Sequence, residues 1–154
     1  MSPRRQRLHA AQAIIALALI GAVAILSPAP QAAPTSPESQ IIRGVFVIDG
    51  DTIEARGQRY RIVNIDTPET GERAQCGAER RLGARATAHA RALIQAAARV
   101  ETEPVGRTDA YGRTIAYVRV DGRDLGEALI AEGLARPWRG RRQPWCDAQN
   151  RLIP

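Results

Sequence analysis

The sequence predicts an α+β fold: a five-stranded β-barrel with a long helix after the third strand and a shorter helix after the fifth. Three observations carry this. β-Branched and aromatic runs alternate with Asp-Gly and Arg-Gly turns over the first part of the domain. A long stretch from Ala78 to Arg99 then sets its apolar side chains at helical spacing. Two more strand-like runs and a short, capped helical segment follow.

The first strand is "IIRGVFVID" (41–49), which ends at the Asp49-Gly50 turn. "TIEA" (52–55) is the second, and the Arg56-Gly57 turn leads into the third, "QRYRIVNI" (58–65). Short turns between successive strands make a meander. In the long helix Leu82, Ala86, Ala90, Leu93, Ile94 and Ala97 recur at helical spacing. Arg80, Arg81, Arg85, Arg91 and Arg99 mostly take the remaining faces and read as a solvated surface. His89 has no second histidine or nearby acid at ligand spacing and reads as surface or core filler. "VETEP" (100–104) is a short strand, "VGRTDAYGR" (105–113) a loop and "TIAYVRV" (114–120) the last strand. After the Asp121-Gly122 turn, Asp124 caps a second helix, "LGEALIAEG", with Glu127 in the capping-box position and Gly133 as the stop. This order, with a helix interposed after the third strand and no internal repeat, is that of a small closed barrel of the OB type.

Residues 1–40 stand apart from that domain. Arg4, Arg5 and Arg7 precede an apolar run at residues 10–26, and small residues and prolines follow. This is the layout of a secretory signal, assigned to 1–33, with a polar linker at 34–40 and the domain at 41–154. The apolar run is shorter than the ~20 residues that comfortably span a bilayer. The cleavage motif after Ala33 is poor, with Gln31 at the third position back and Pro34 just beyond. A membrane anchor through residues 10–26 is therefore the alternative. Arg4-Arg5 matches twin-arginine export only weakly, because Arg7 sits where that signal prefers an apolar residue. The expected location is secreted or periplasmic, or membrane-anchored with the domain outside the cytoplasm.

The chain carries 22 basic and 16 acidic residues, a net charge of +6, and every basic residue is arginine. The part after residue 40 keeps 19 of the 22 basic and 15 of the 16 acidic residues, a net +4. Guanidinium forks match phosphate oxygens. The positive balance favours nucleic acid, anionic polymers or anionic surfaces as partners without choosing between them. One Phe, three Tyr and two Trp are poor material for a platform that binds single strands mainly by stacking. Cys76 and Cys146 are an even pair in a chain with an export signal, so a disulfide is expected, with two unpaired thiols as the alternative. The bridge would close a loop of about 70 residues, worth about 4 kcal/mol in the chain-entropy model. Two cysteines without clustered histidines argue against zinc.

The chemistry concentrates in "VIDGDT" and "IVNIDTPET". Asp51 ends one turn and Asp66 ends the third strand. In a meander such ends lie side by side, and two carboxylates with a carbonyl or two make a hard-oxygen site suited to Ca²⁺. Glu69 follows Pro68, which stiffens the loop and helps fix where the carboxylate points. A carboxylate close to a metal, but not saturated by it, positions or deprotonates a water. Arg61 on the third strand and Arg113 at the start of the fifth supply forks for the charge that builds on phosphate oxygens. Arg59 and Arg119 read as exposed strand residues, and Asp109 as a cap for its loop.

"VIDGDT", "RIVNIDTPET", "RTDAYGR", "AYVRVDG" and "EALIAEGLA" occur in the order expected of the thermonuclease, or staphylococcal nuclease-like, family, which the chain resembles over about residues 44–136. The resemblance implies a Ca²⁺ site formed by the side chains of Asp51 and Asp66 and the backbone carbonyl of Thr67, with water filling the rest. It implies that Glu69 is the general base, that Arg61 and Arg113 are catalytic, and that Tyr111 contacts a substrate phosphate. Asp49 matches an acid near the metal. The expected function is thus an exported, Ca²⁺-dependent phosphodiesterase acting on DNA and RNA and leaving 3′-phosphate ends. The alternative is a catalytically inactive OB-fold nucleic-acid-binding module. Two departures bear on substrate binding. Ala110 stands where the best-known member has a phosphate-binding lysine. "RPWRGRRQPW" (136–145) replaces a segment whose tyrosine stacks on the base, with Trp138, Arg139, Arg141 and Arg142 as candidate substitutes. The chain also ends before a full third helix, and a Cys76–Cys146 bridge is a candidate restraint for the tail.

Overall fold

A computed structural model describes residues 38–153. The expected signal or anchor at 1–33 lies outside the described residues. The elements are β1 (Gln40–Ile42), β2 (Phe46–Asp49), β3 (Thr52–Ala55), β4 (Gln58–Ile62), β5 (Ile65–Asp66), a 3-10 turn (Gly71–Arg73), α1 (Gly77–Ala96), β6 (Val100–Thr108), β7 (Thr114–Val120), β8 (Arg123–Asp124), α2 (Leu125–Ala131) and β9 (Arg136–Pro137). Hydrogen bonding orders the main sheet β1-β6-β7-β4-β3-β2, with β8 added to β7, while β5 and β9 form a separate pair. The result is a curled, mixed half-barrel with two helices, an α+β fold of the OB type.

Among the described residues the five expected strands are nine, so α1 follows the fifth and α2 the eighth instead of the third and the fifth, and three local expectations are corrected. The first strand is two strands. Gly44, at φ +65°, breaks the run, and its two halves join opposite ends of the sheet: β1 pairs with β6 and β2 with β3. Residues 43–45 are the only link between those ends and reach at most about 14 Å, which forces the sheet to curl. Among the described residues the two ends do not pair with each other, so the barrel is not closed by hydrogen bonds. Second, "QRYRIVNI" is broken at Asn64, which takes φ 62°, a conformation asparagine tolerates better than most residues. The break redirects Ile65 and Asp66 into a pair with Pro137 and Arg136. Third, "VETEP" does not stop at Pro104. It runs on to Thr108 as β6, with a register irregularity between Pro104 and Thr108 that accommodates the proline.

α1 is as expected within a few residues. Its buried line is Glu79, Gly83, Ala86, Ala90 and Ile94, while Leu82, Leu93 and Ala97 are partly buried. The small residues on that line let the helix approach the sheet closely. Ile53, Ile62, Val118, Leu125 and Leu129 are among the largest fully buried side chains, each contributing about 1.5–3 kcal/mol by leaving water. The Asp124 side chain accepts the Glu127 N–H at 2.9 Å and caps α2 as the sequence indicates. Gly133 (φ +66°) ends that helix, donating to Ile130 O at 2.9 Å, with Leu134 donating to Leu129 O at 2.9 Å. Among the described residues no helix is long and apolar enough to cross a membrane.

Candidate active site

Strand register assembles the site. Asp49, Gly50 and Asp51 form the turn between β2 and β3, and Thr52 opens β3 directly opposite Arg61 on β4. β4 then pairs in parallel with β7, Arg61 opposite Ile115, which sets Arg113 just ahead of β7 beside the same strand end. The break at Asn64 turns Asp66 back toward this end. Two glycines permit the close fit. A Cβ at Gly50 would lie 2.9 Å from Thr67 Cγ2, and one at Gly83 on α1 would lie 2.5 Å from the Glu69 carbonyl oxygen and 2.6 Å from that of Pro68.

Asp51 is buried and fully engaged. Its Oδ2 accepts the Thr67 N–H at 3.2 Å and the Thr67 hydroxyl at 2.9 Å, and it pairs with Arg61 Nη2 at 3.2 Å. Its Oδ1 accepts the Thr52 hydroxyl at 3.2 Å. Arg61 also donates to the carbonyls of Ile62 (2.9 Å) and Ile65 (2.8 Å), clamping both sides of the Asn64 break. Arg113 donates to Thr52 Oγ1 at 2.8 Å and to Asp109 Oδ2 at 2.7 Å. Asp109 Oδ1 accepts the backbone N–H groups of Tyr111 (2.9 Å) and Arg113 (3.0 Å), so it caps its loop as the sequence suggests. Burial pushes the Asp109 carboxyl up, but the hydrogen bonds from Arg113 and Tyr111 outweigh it and hold the group below its ordinary value.

The other carboxylates face the C-terminal tail. Asp66 Oδ1 pairs with Arg142 Nη1 at 3.3 Å, and its Oδ2 accepts the Trp145 indole N–H at 3.1 Å. Arg142 also pairs with Glu69 Oε1 at 2.9 Å, and Arg73 pairs with Glu69 Oε2 at 3.2 Å and Asp49 Oδ2 at 3.4 Å. Burial raises the Asp66 carboxyl, opposed by Arg142 and the Trp145 hydrogen bond, while Asp51 pushes it up further. Burial, then the charge of Asp51, likewise raises Asp49. The tail is held by a disulfide between Cys76, the N-cap of α1, and Cys146. Trp145 is buried beneath the Arg136 guanidinium, which lies 3.7 Å from the ring centroid.

All seven site residues expected from the sequence, Asp51, Arg61, Asp66, Thr67, Glu69, Tyr111 and Arg113, line one cavity of about 670 Å³. Tyr111 stands at 86 % exposure, with Arg113 Cζ 5.4 Å from its ring centroid. Trp138, Arg142 and Arg73 line the same cavity. Among the described residues no three His, Cys, Asp or Glu side chains form a ready-made metal cage. The donor chemistry nevertheless fits a hard cation: Asp51, Asp66 and the Thr67 carbonyl offer only oxygen, and Asp51 and Asp66 lie close enough to repel one another's charge.

Sequence reasoning missed Glu79. It is 1 % exposed, and its carboxylate accepts the backbone N–H groups of Glu69 (3.0 Å) and Gln75 (2.7 Å), fixing the loop that carries Glu69. The signal was present: Glu79 stands three residues after the N-cap Cys76, in capping-box spacing. Gly83 and Arg73 gave no comparable sign.

A family model described as staphylococcal nuclease homologue matches residues 59–152. No curated protein gives a match to the chain. The matched span includes Arg61, Asp66, Thr67, Glu69, Tyr111 and Arg113 and begins after Asp51. It covers more than half of the chain, from β4 through the tail, and on that match the chain belongs to the staphylococcal nuclease homologue family, a family of nucleases.

Proposed function

We propose that this protein is an exported, Ca²⁺-dependent phosphodiesterase that hydrolyses DNA and RNA and leaves 3′-phosphate ends. The observation that carries the reading is the shared cavity, which the carboxylates of Asp51, Asp66 and Glu69 line together with the guanidinium groups of Arg61 and Arg113. The N-terminal segment and the disulfide support export, since disulfides persist mainly outside the cytoplasm.

Asp51, Asp66 and the Thr67 carbonyl would hold the cation. When bound there, Ca²⁺ supplies positive charge that lets a phosphate approach the carboxylates. Glu69 takes a proton from the attacking water. Arg61 and Arg113 donate N–H groups to the non-bridging oxygens, whose charge grows as phosphorus becomes five-coordinate. Arg113 is held in advance by Asp109 and Thr52, and Arg61 by Asp51 and two carbonyls, so neither must be ordered at the moment of reaction. The water oxygen bonds to phosphorus as the bond from phosphorus to the 5′ oxygen breaks; one of the arginines hydrogen-bonds that leaving oxygen, which takes a proton from solvent to become the 5′ hydroxyl, and the phosphate stays on the 3′ side. Tyr111, at the cavity rim, contacts a substrate phosphate.

The deciding experiment is cleavage of a defined single-stranded oligonucleotide by the purified chain, with product ends identified, in Ca²⁺ and in excess chelator. Cleavage to 3′-phosphate ends in Ca²⁺ alone is expected. Robust cleavage in chelator overturns the metal assignment, and binding without cleavage leaves only the inactive binding module.

A further inference from the structure

We propose that Arg142 is a tethered cation that occupies the acidic end of the cavity and competes there with a dissolved divalent cation. The inference rests on the metal reading above and goes beyond it. One guanidinium touches four acceptors: Nη1 meets Asp66 Oδ1 at 3.3 Å and Glu69 Oε1 at 2.9 Å, and Nη2 meets the Thr67 carbonyl at 3.1 Å and Glu79 Oε1 at 3.3 Å. Two of these are proposed cation donors, and a third is the proposed base.

The placement is built into the fold. Arg142 lies four residues before Cys146, whose bond to Cys76 fixes this part of the tail to the start of α1. The neighbouring Trp145 is 3 % exposed and donates to the other oxygen of Asp66. Pro144 O accepts from Arg136 at 3.1 Å. At the far side Glu79 is itself buried and oriented by two backbone N–H groups. The guanidinium is thus presented to a pre-formed set of acceptors and is not a loose surface side chain finding a partner.

A divalent cation at Asp66 and the Thr67 carbonyl competes with the Arg142 guanidinium for those oxygens, because one guanidinium spans both of them and two positive groups at that range repel. Cation binding therefore displaces Arg142. Displacement also frees Glu69 Oε1, while Arg73 keeps its 3.2 Å pairing with Oε2, so loading of the site and exposure of one oxygen of the base become one linked event. The displaced guanidinium stays tethered at the cavity, where a phosphate can receive it. If Arg142 occupies the oxygens in about nine molecules of ten, apparent cation affinity is weakened about tenfold.

The test is calorimetric titration of the full-length, disulfide-bonded chain with Ca²⁺, without nucleic acid, for wild type, Arg142→Gln and Arg142→Lys. Circular dichroism and a thermal melt confirm that each variant folds. Arg142→Gln is expected to bind Ca²⁺ about tenfold more tightly than wild type. Arg142→Lys, which keeps the charge but cannot span four acceptors, is expected to fall between them. Measurable binding with Arg142→Gln no tighter than wild type overturns the competition and leaves the metal reading standing. No Ca²⁺ binding in any of the three overturns both. Should Arg142→Gln not fold, Arg142→Lys decides alone, and an affinity equal to or below wild type overturns the proposal.

Discussion

Gly83 lies against the Glu69 carbonyl so closely that a single methyl group at Gly83 would stand 2.5 Å from that oxygen. The backbone, not a flexible side chain, is what the methyl would strike, so α1 or the Glu69 loop must move. Gly83→Ala is therefore expected to destabilise the protein by about 1–3 kcal/mol, despite alanine's better helix propensity. A urea titration measures the loss. The same variant should lose turnover by displacing Glu69, and wild-type stability in it would contradict the contact.

Glu69 itself separates chemistry from binding. Glu69→Gln keeps the shape and a hydrogen-bonding end but cannot take a proton. Turnover is expected to fall by about 10²–10⁴-fold while nucleotide binding is retained. Single-turnover kinetics alongside a nucleotide titration distinguish the two, and wild-type turnover in the variant would remove Glu69 from the base role.

Asp109 gives a pH signature. Its carboxyl is held below its ordinary value in the folded chain, so its contribution to stability is present above the unfolded pKa. That contribution is lost as pH falls through the lower, folded pKa. Asp109→Asn should therefore be less stable than wild type at neutral pH, and the gap should close as acidification carries the pH below the lowered, folded pKa. Urea midpoints at a series of pH values read this out. A gap that stays constant with pH would mean that the carboxylate charge contributes nothing.

The disulfide spans a sequence separation of 70 residues, and its removal is expected to cost about 4 kcal/mol. Comparing oxidised wild type with the Cys76→Ser, Cys146→Ser double variant in urea measures it. The double variant should also bind Ca²⁺ more tightly, because the segment carrying Arg142 is then less firmly held.

What could be read from the sequence follows from how local each determinant is. The caps of α2 and the apolar face of α1 depend on neighbours a few residues away, and both were legible. Gly44 was visible as a glycine, but nothing nearby says that the halves of its strand go to opposite sheet ends; non-local pairing decides that. Asp51, Asp66 and Arg113 stood out because each lies at a turn or strand end, where side chains from different strands meet, and Arg61, inside its strand, through the motif it shares with Asp66. Glu79 was hidden because its partners are backbone N–H groups of a loop whose path the sequence does not specify. The Cys76–Cys146 pair was legible, but not that it sets Arg142 against Asp66 and Glu69.

Cys76 and Cys146 bracket α1, β6, β7, β8, α2 and β9. One backbone cut within that span, most readily at the exposed Tyr111 loop, divides the polypeptide but not the molecule. Both fragments remain covalently joined. A nicked population therefore migrates as one chain until reductant is added, so this protein can absorb a proteolytic hit without shedding half of its site.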